Sequence, residues 1–271
     1  MHKTILVTGS TDGIGLETAK VFYSMGHHVL LHGRNPAKLE SAEKALTAIP
    51  GGGQLDSYVA DLSYMAGVDR LAEAVKEKHS TIDVLINNAG VYKTADTITR
   101  DGFDVRFAVN ALAPCLLTKR LMPQLHSNSR VINLSSAAQS PVDPHALAGR
   151  AHIADDYTAY AQSKLALTMW SIHLASELGN NGPVILAVNP GSLLATKMVK
   201  EGFGMAGKDI GIGVDILVRL ALDDEFQGAS GLYFDNDAGQ FASPHSDALD
   251  AQKCEYIVDV MEDALAKCVE V

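Results

Sequence analysis

Tyr160 and Lys164 stand four residues apart in the run Y-A-Q-S-K. On a helix that spacing puts both side chains on one face, a turn apart. A phenol beside an ammonium can move protons. A free tyrosine titrates near ~10, too high for a good base at neutral pH. A cation at ~4 Å in an effective dielectric of ~20 is worth ~4 kcal/mol. That lowers the phenol by up to ~3 pH units before desolvation opposes it. One lysine, helped by the charge of a cofactor, is sufficient in principle. A lone Y-x-x-x-K says little, because any surface helix can carry one. Its weight comes from what surrounds it.

Upstream, Thr4 to Gly15 reads T-I-L-V-T-G-S-T-D-G-I-G. The apolar run 5–7 is long enough for one buried strand, the chain breaks on Gly9, Gly13 and Gly15, and a helical pattern follows over 16–25. Strand, glycine turn and helix start together make a phosphate cradle: glycine lets backbone approach a ligand, and the helix end offers N–H groups and a positive dipole. Thr11, Asp12 and Ile14 lie in the same loop. In dinucleotide folds an acidic residue about 20 positions past the glycines holds the ribose 2′-hydroxyl of NAD. Here that segment reads His32-Gly33-Arg34-Asn35, without an acid. Arg34 could bind a 2′-phosphate through charge-assisted contacts, with Asn35 beside it and a hydroxyl from Thr11. NADP is therefore expected over NAD.

These groups need a scaffold, and strand-like and helix-like stretches alternate to supply one. Strands are predicted at 28–32, 57–61, 83–87, 130–135, 184–188 and 232–234 after the first. Helices are predicted at 36–49, 66–78, 101–122 and 157–178. The pattern predicts a single-domain α/β fold, Rossmann-like and doubly wound, with a parallel sheet of about seven strands and helices on both faces. Residues 1–243 form that unit, and 244–271 an amphipathic helix packed on it or at a subunit interface.

The order of the motifs supplies the resemblance. T-G-x-x-x-G-I-G, then N-A-G at Asn88-Ala89-Gly90, Asn110, a serine pair, Y-x-x-x-K and N-P-G at Asn189 to Gly191 follow one another over residues 4–235. The chain resembles the short-chain dehydrogenase/reductase family, and the long interval before the tyrosine is most similar to its retinol-dehydrogenase-like and WW-domain-oxidoreductase-like branch. The resemblance implies that Tyr160 is the general acid/base and that Ser136, rather than Ser135, orients the substrate carbonyl or hydroxyl. Lys164 would bind the nicotinamide ribose and lower the tyrosine, and Asn110 would support a water-linked proton path. It also implies cofactor contacts from Asp61 and Leu62 at the adenine, from Asn88, Ala89 and Gly90, and from Pro190, Gly191 and Thr196 near the nicotinamide. Thr196 stands one place late in S-L-L-A-T, and Gln139 replaces a glycine expected after the serines.

The expected activity is an NADP(H)-preferring interconversion of a small-molecule carbonyl and its alcohol. The alternative is a cofactor-sensing binding protein of the same fold, which would not need Asn110, Ser136, Tyr160 and Lys164 together. The interval 137–156 joins the strand of Ser136 to the helix of Tyr160 and is expected as an irregular wall of the substrate pocket. The glycine-rich stretch 192–213 is expected as a flexible lid. A net charge of −10 over 271 residues argues against nucleic acid as a bulk partner. Three cysteines without C-x-x-C spacing suit free thiols. No leader or membrane-length apolar run is read, so a cytoplasmic enzyme is expected, as a monomer or a homo-oligomer. Ten histidines show no H-E-x-x-H or comparable spacing, so no metal is expected.

Overall fold

Short apolar runs in β1 (Thr4–Val7), β2 (His28–Gly33), β4 (Ile82–Asn87) and β6 (Val184–Asn189) are buried almost throughout, as parallel strands covered on both faces must be. A computed structural model describes residues 2–204 and 206–268 of the chain. Residues 1, 205 and 269–271, which belong to the expected domain, lid and tail, lie outside the described residues. One sheet runs in the order β3-β2-β1-β4-β5-β6-β7-β8, with β3 (Gln54–Val59), β5 (Leu125–Leu134), β7 (Tyr233–Asp235) and β8 (Gln240–Phe241). Every pairing is parallel except that of β7 with β8. The sheet thus has eight strands and one antiparallel edge, where about seven parallel strands were expected. The two residues of β8 are too few to register as a periodic pattern.

Alternation along the strands divides the core in two. Leu6, Leu30 and Ile185 face one layer, with α3 (Met65–Lys78), α5 (Ala113–Leu121), α7 (Asp156–Leu178) and α10 (Ala251–Ala266). Ile5, Val7, Val29 and Leu31 face the other, with α1 (Gly13–Ser24), α2 (Pro36–Thr47) and α9 (Gly211–Leu222). The tail helix α10 lies on α7 and buries Ile257, Val258 and Met261.

Three boundaries differ from expectation in ways that matter later. β3 begins directly after the glycines at 51–53, three residues earlier than predicted, because an outer strand tolerates the polar Gln54 and Asp56. The helix expected over 101–122 starts only at α4 (Val105–Phe107) and passes through a π-helical turn, Ala108–Leu112, before α5. Among its described residues the stretch 192–213 contains α8 (Lys197–Phe203), with a bridge between Leu194 and Lys208 closing its base.

Candidate active site

The sheet order reverses between β1 and β4, and a cavity of about 710 Å³ opens there at the carboxyl ends of the strands. Gly9 and Gly13 adopt positive φ values of 65° and 58°, turning the chain from β1 into α1. A Cβ at Gly13 would project into the cavity, its nearest neighbour Thr196 Cγ2 at 3.8 Å. The cradle is therefore shaped for a group that approaches backbone, and the N-terminal turn of α1, with Ile14 and Gly15, faces it. Asn88 ties β4 to this loop by donating from Nδ2 to the carbonyls of Thr8 (2.8 Å) and Gly9 (3.1 Å). Thr8 Oγ1 accepts from the amides of Asn88 and Ala89. His32 Nδ1 accepts from the Gly9 amide at 3.0 Å, which makes Nε2 the donor to the Ala60 carbonyl. Burial holds this imidazole down to about 4, so it is a neutral brace.

Of the cofactor residues expected from sequence, Gly9, Thr11, Asp12, Gly13, Ile14, Gly15, Arg34, Asp61, Leu62, Asn88, Ala89, Gly90, Tyr160, Lys164, Pro190, Gly191 and Thr196 all line the cavity. Asn35 does not. Its side chain caps α2 by accepting from the Lys38 amide at 3.1 Å. Lys38, which sequence reading passed over, lines the cavity with Arg34 and pairs with Asp12 at 3.6 Å. Its position one turn into α2 is the signal that could have found it. Thr196 caps α8 through Oγ1 while still lining the wall.

Ser136 and Tyr160 both line the cavity, where the Ser136 hydroxyl accepts from the Ala138 amide at 3.1 Å. The neighbouring Ser135 faces inward, its hydroxyl 2.6 Å from Thr168 Oγ1 and 3.1 Å from the Lys164 carbonyl. Lys164 Nζ lies 5.6 Å from the centre of the Tyr160 ring and donates to the Leu134 carbonyl at 2.6 Å. Burial pushes the Tyr160 phenol up to about 12, only partly offset by Ser136, and brings Lys164 down to about 7. This is the reverse of the lowered phenol derived from sequence. The amine is itself desolvated and turned toward a backbone carbonyl, which weakens the charge it presents to the phenol.

Asn110 is absent from the cavity wall. It sits in the π-helical turn and braces the chain entering the site. Its Oδ1 accepts from the Val91 amide (2.8 Å), and its Nδ2 donates to the Val91 carbonyl and to Ser163 Oγ, each at 2.9 Å. Ser163 Oγ donates in turn to the Tyr160 carbonyl at 2.7 Å. One turn before Asn110, the fully buried Arg106 grips Asp104 with Nε (2.7 Å) and Nη2 (2.5 Å), and Asp156 at the start of α7 with Nη1 (2.5 Å). Sequence reading passed over this arginine. One of its acids lies two residues before it and the other fifty residues after it, a pairing with no local signature.

On the substrate side, only Ala137 and Ala138 of the interval 137–156 reach the cavity. The interval contains a short helix, α6 (Pro144–Leu147), whose Ala146 and Leu147 enter the core near α10. Asp143 N donates to Gln162 Oε1, and the His245 amide donates to Gln139 Oε1. Its apolar residues pull the segment away from the pocket mouth. Tyr92, Tyr157, Leu193, Met198 and Val199 stand there instead. Tyr92 packs edge-on against Tyr160 at 5.3 Å, and α8 rests on Tyr92 so closely that a Cβ at Gly202 would come within 2.6 Å of the ring.

Residues 3–206 match the family model for short chain dehydrogenase. The chain belongs to this family. Human Retinol dehydrogenase 13 is similar at 30% identity over 251 residues, covering 86% of this chain and 76% of that protein. An uncharacterised protein from Mycobacterium paratuberculosis superimposes with a TM-score of 0.80 at 26% identity, over 97% of this chain and 93% of the other. A short chain dehydrogenase from Escherichia coli complexed with NADPH gives 0.69 at 26% identity, over 86% and 96%. Hydride-transferring oxidoreductase chemistry and a nicotinamide-dinucleotide site follow for this family member. Among the described residues no helix is long and apolar enough to cross a membrane.

Proposed function

We propose that this protein is an NADPH-preferring reductase of aldehydes or ketones on a largely apolar frame, working reversibly on the alcohol, in the retinol-dehydrogenase-like branch and in the cytoplasm. The observation that carries the proposal is the convergence of Ser136, Tyr160 and Lys164 on one cavity, with Lys164 Nζ 5.6 Å from the centre of the Tyr160 ring. Arg34 and Lys38, together at the adenosine end without an acidic residue in the segment 32–35, support the 2′-phosphate reading. The aromatic and aliphatic mouth formed by Tyr92, Tyr157, Leu193, Met198 and Val199 supports the apolar substrate.

When bound, the nicotinamide supplies or accepts the hydride. Ser136 and Tyr160 donate hydrogen bonds to the substrate oxygen, where negative charge grows as the carbonyl is reduced. A phenol that burial keeps protonated through neutral pH is suited to give that oxygen its proton. Alcohol oxidation needs the phenolate and gains as pH rises. Lys164 has one backbone acceptor, which leaves N–H groups for ribose hydroxyls. Asn110 positions the loop after β4 and, through Ser163, the turn that carries Tyr160.

The test is Tyr160→Phe with NADPH consumption read against a panel of apolar aldehydes and ketones. Turnover should fall by at least ~100-fold with NADPH affinity retained, the range expected for loss of a general acid. Turnover near that of the parent protein would remove Tyr160 from the mechanism. Absence of turnover in the parent with every carbonyl, despite tight NADPH binding, would favour a cofactor-sensing protein.

A further inference from the structure

His28, the first residue of β2, Asp56 on β3 and His79 at the end of α3 come from three separate elements, yet each aims a ligand atom at one point. These atoms lie within 4.8 Å of one another. His28 Nε2 is 2.9 Å, and His79 Nε2 3.7 Å, from the same carboxylate oxygen, Asp56 Oδ2. We propose that these three side chains bind a zinc-type divalent cation at the sheet edge, remote from the cofactor cavity.

The donor set suits such an ion. Two imidazoles and one carboxylate are a common set for zinc, with ligand distances of about 2.0–2.2 Å. Tetrahedral geometry at those lengths separates ligand atoms by roughly 3.3–3.5 Å, so the trio needs adjustments on the order of 1 Å. The two rings, 5.1 Å apart at 74°, present their edges rather than stacking faces. Burial keeps His79 below its ordinary value and hence neutral, with a lone pair to give. Burial also opposes ionisation of Asp56, but hydrogen bonds from His28 and Lys78 outweigh it and keep the carboxylate charged.

The surroundings supply what a metal site needs beyond its ligands. Lys78 Nζ holds the other carboxylate oxygen, Oδ1, at 3.3 Å and orients Asp56. Tyr58 Oη is hydrogen-bonded to His79 Nε2 at 2.8 Å, a bond that the ion would replace. The His28 and Asp56 side chains are 21% and 28% exposed, so an ion reaches them without unfolding. β3 is the outer strand of the sheet, and the ion would fasten it to β2 and to the end of α3. His28 begins β2 and Gly33, beside the cavity, ends it, roughly 16 Å away at strand rise. The site is therefore structural and plays no part in hydride transfer.

The test uses tag-free, chelator-stripped full-length protein titrated with zinc sulfate in a calorimeter. The expected result is one equivalent bound, and at about 100 times the dissociation constant a melting point roughly 5–10 °C higher, reversed by EDTA. Cobalt(II) should give the intense visible bands of a tetrahedral ion. His28→Gln and Asp56→Asn should each abolish binding and the bands while leaving NADPH affinity and circular dichroism unchanged. These two are chosen because His79 is buried against Tyr58, where a substitution could disturb folding. If zinc neither binds nor raises the melting point, the cluster is a hydrogen-bonded network only and the proposal is wrong. Zinc binding that survives both substitutions would place the ion elsewhere and equally overturn it.

Discussion

Arg106 and Lys164 both lie beneath the surface against α7, one at its first residue and the other about two turns further along. Arg106 has two carboxylates within 2.7 Å and donates to both, and its hydrogen bonds to Asp104 hold the guanidinium above its ordinary value. Lys164 has a single backbone carbonyl as acceptor, and burial brings it down to about 7. Both side chains are hidden from solvent, and they differ in counter-charge. The matched cation locks α4 to α7, whereas the mismatched one faces a cavity that a ligand can fill. A buried amine paired with a backbone carbonyl and facing a cavity has donors to offer a ligand there.

Removing the matched cation should produce the largest effect. Arg106→Met strands Asp104 in the core and is expected to cost about 3–5 kcal/mol in urea unfolding. A loss below about 1 kcal/mol would mean that water already compensates the acids. Lys164→Met should do the opposite: turnover falls by at least ~100-fold, while stability at pH 7 stays level or rises, because an apolar group replaces a poorly compensated amine. Loss of stability without loss of turnover would erase the distinction.

A smaller effect lies in the pH dependence of the cofactor-free protein. The folded lysine titrates near 7 and the unfolded one near 10.5. Between those values the unfolded chain holds a proton that the native state has released, so stability rises with pH, by up to ~1.4 kcal/mol per unit from this group. Urea curves of parent and Lys164→Met at pH 7, 8 and 9 isolate that slope. Parallel trends would show that Lys164 remains charged in the fold. The smallest effect separates the adjacent serines. Ser135→Ala should cost about 1 kcal/mol through its bonds to α7 and spare turnover, and Ser136→Ala should spare stability and depress kcat. The reverse pattern would exchange their roles.

The same contrast explains what was legible in the sequence. Local patterns carried over well: the glycine turn, the N1 proline of α2, the apolar runs of β1, β2, β4 and β6, and the strand ends that gather the cavity. Features that depend on distant partners did not. Arg106 reads as one more charge until Asp104 and Asp156 close on it, and His28, Asp56 and His79 lie too far apart in sequence to form a motif. The helix α9 was hidden by Gly211 and Gly213, which suggest a lid, although Val214, Leu217 and Leu220 are buried on one face. The interval 137–156 lines the cavity only with Ala137 and Ala138, because Leu147 draws its middle into the core, which its anchors at Ser136 and Tyr160 do not reveal.

The π-helical turn at Ala108–Leu112 has a consequence for the length of the chain. Such a turn accommodates one residue more than an α-helix would. Deleting Val109 would therefore let the helix close into regular α turns with its two flanks still in phase. Arg106 would stay on its acids, Thr118 on Asn87, to which it is bonded at 3.2 Å, and Leu116 and Leu117 in their layer. What would be lost is the widened turn itself, and with it the seat of Asn110 on Val91 and Ser163. The extra residue is slack kept for the site: its removal would disturb Asn110 and spare the scaffold.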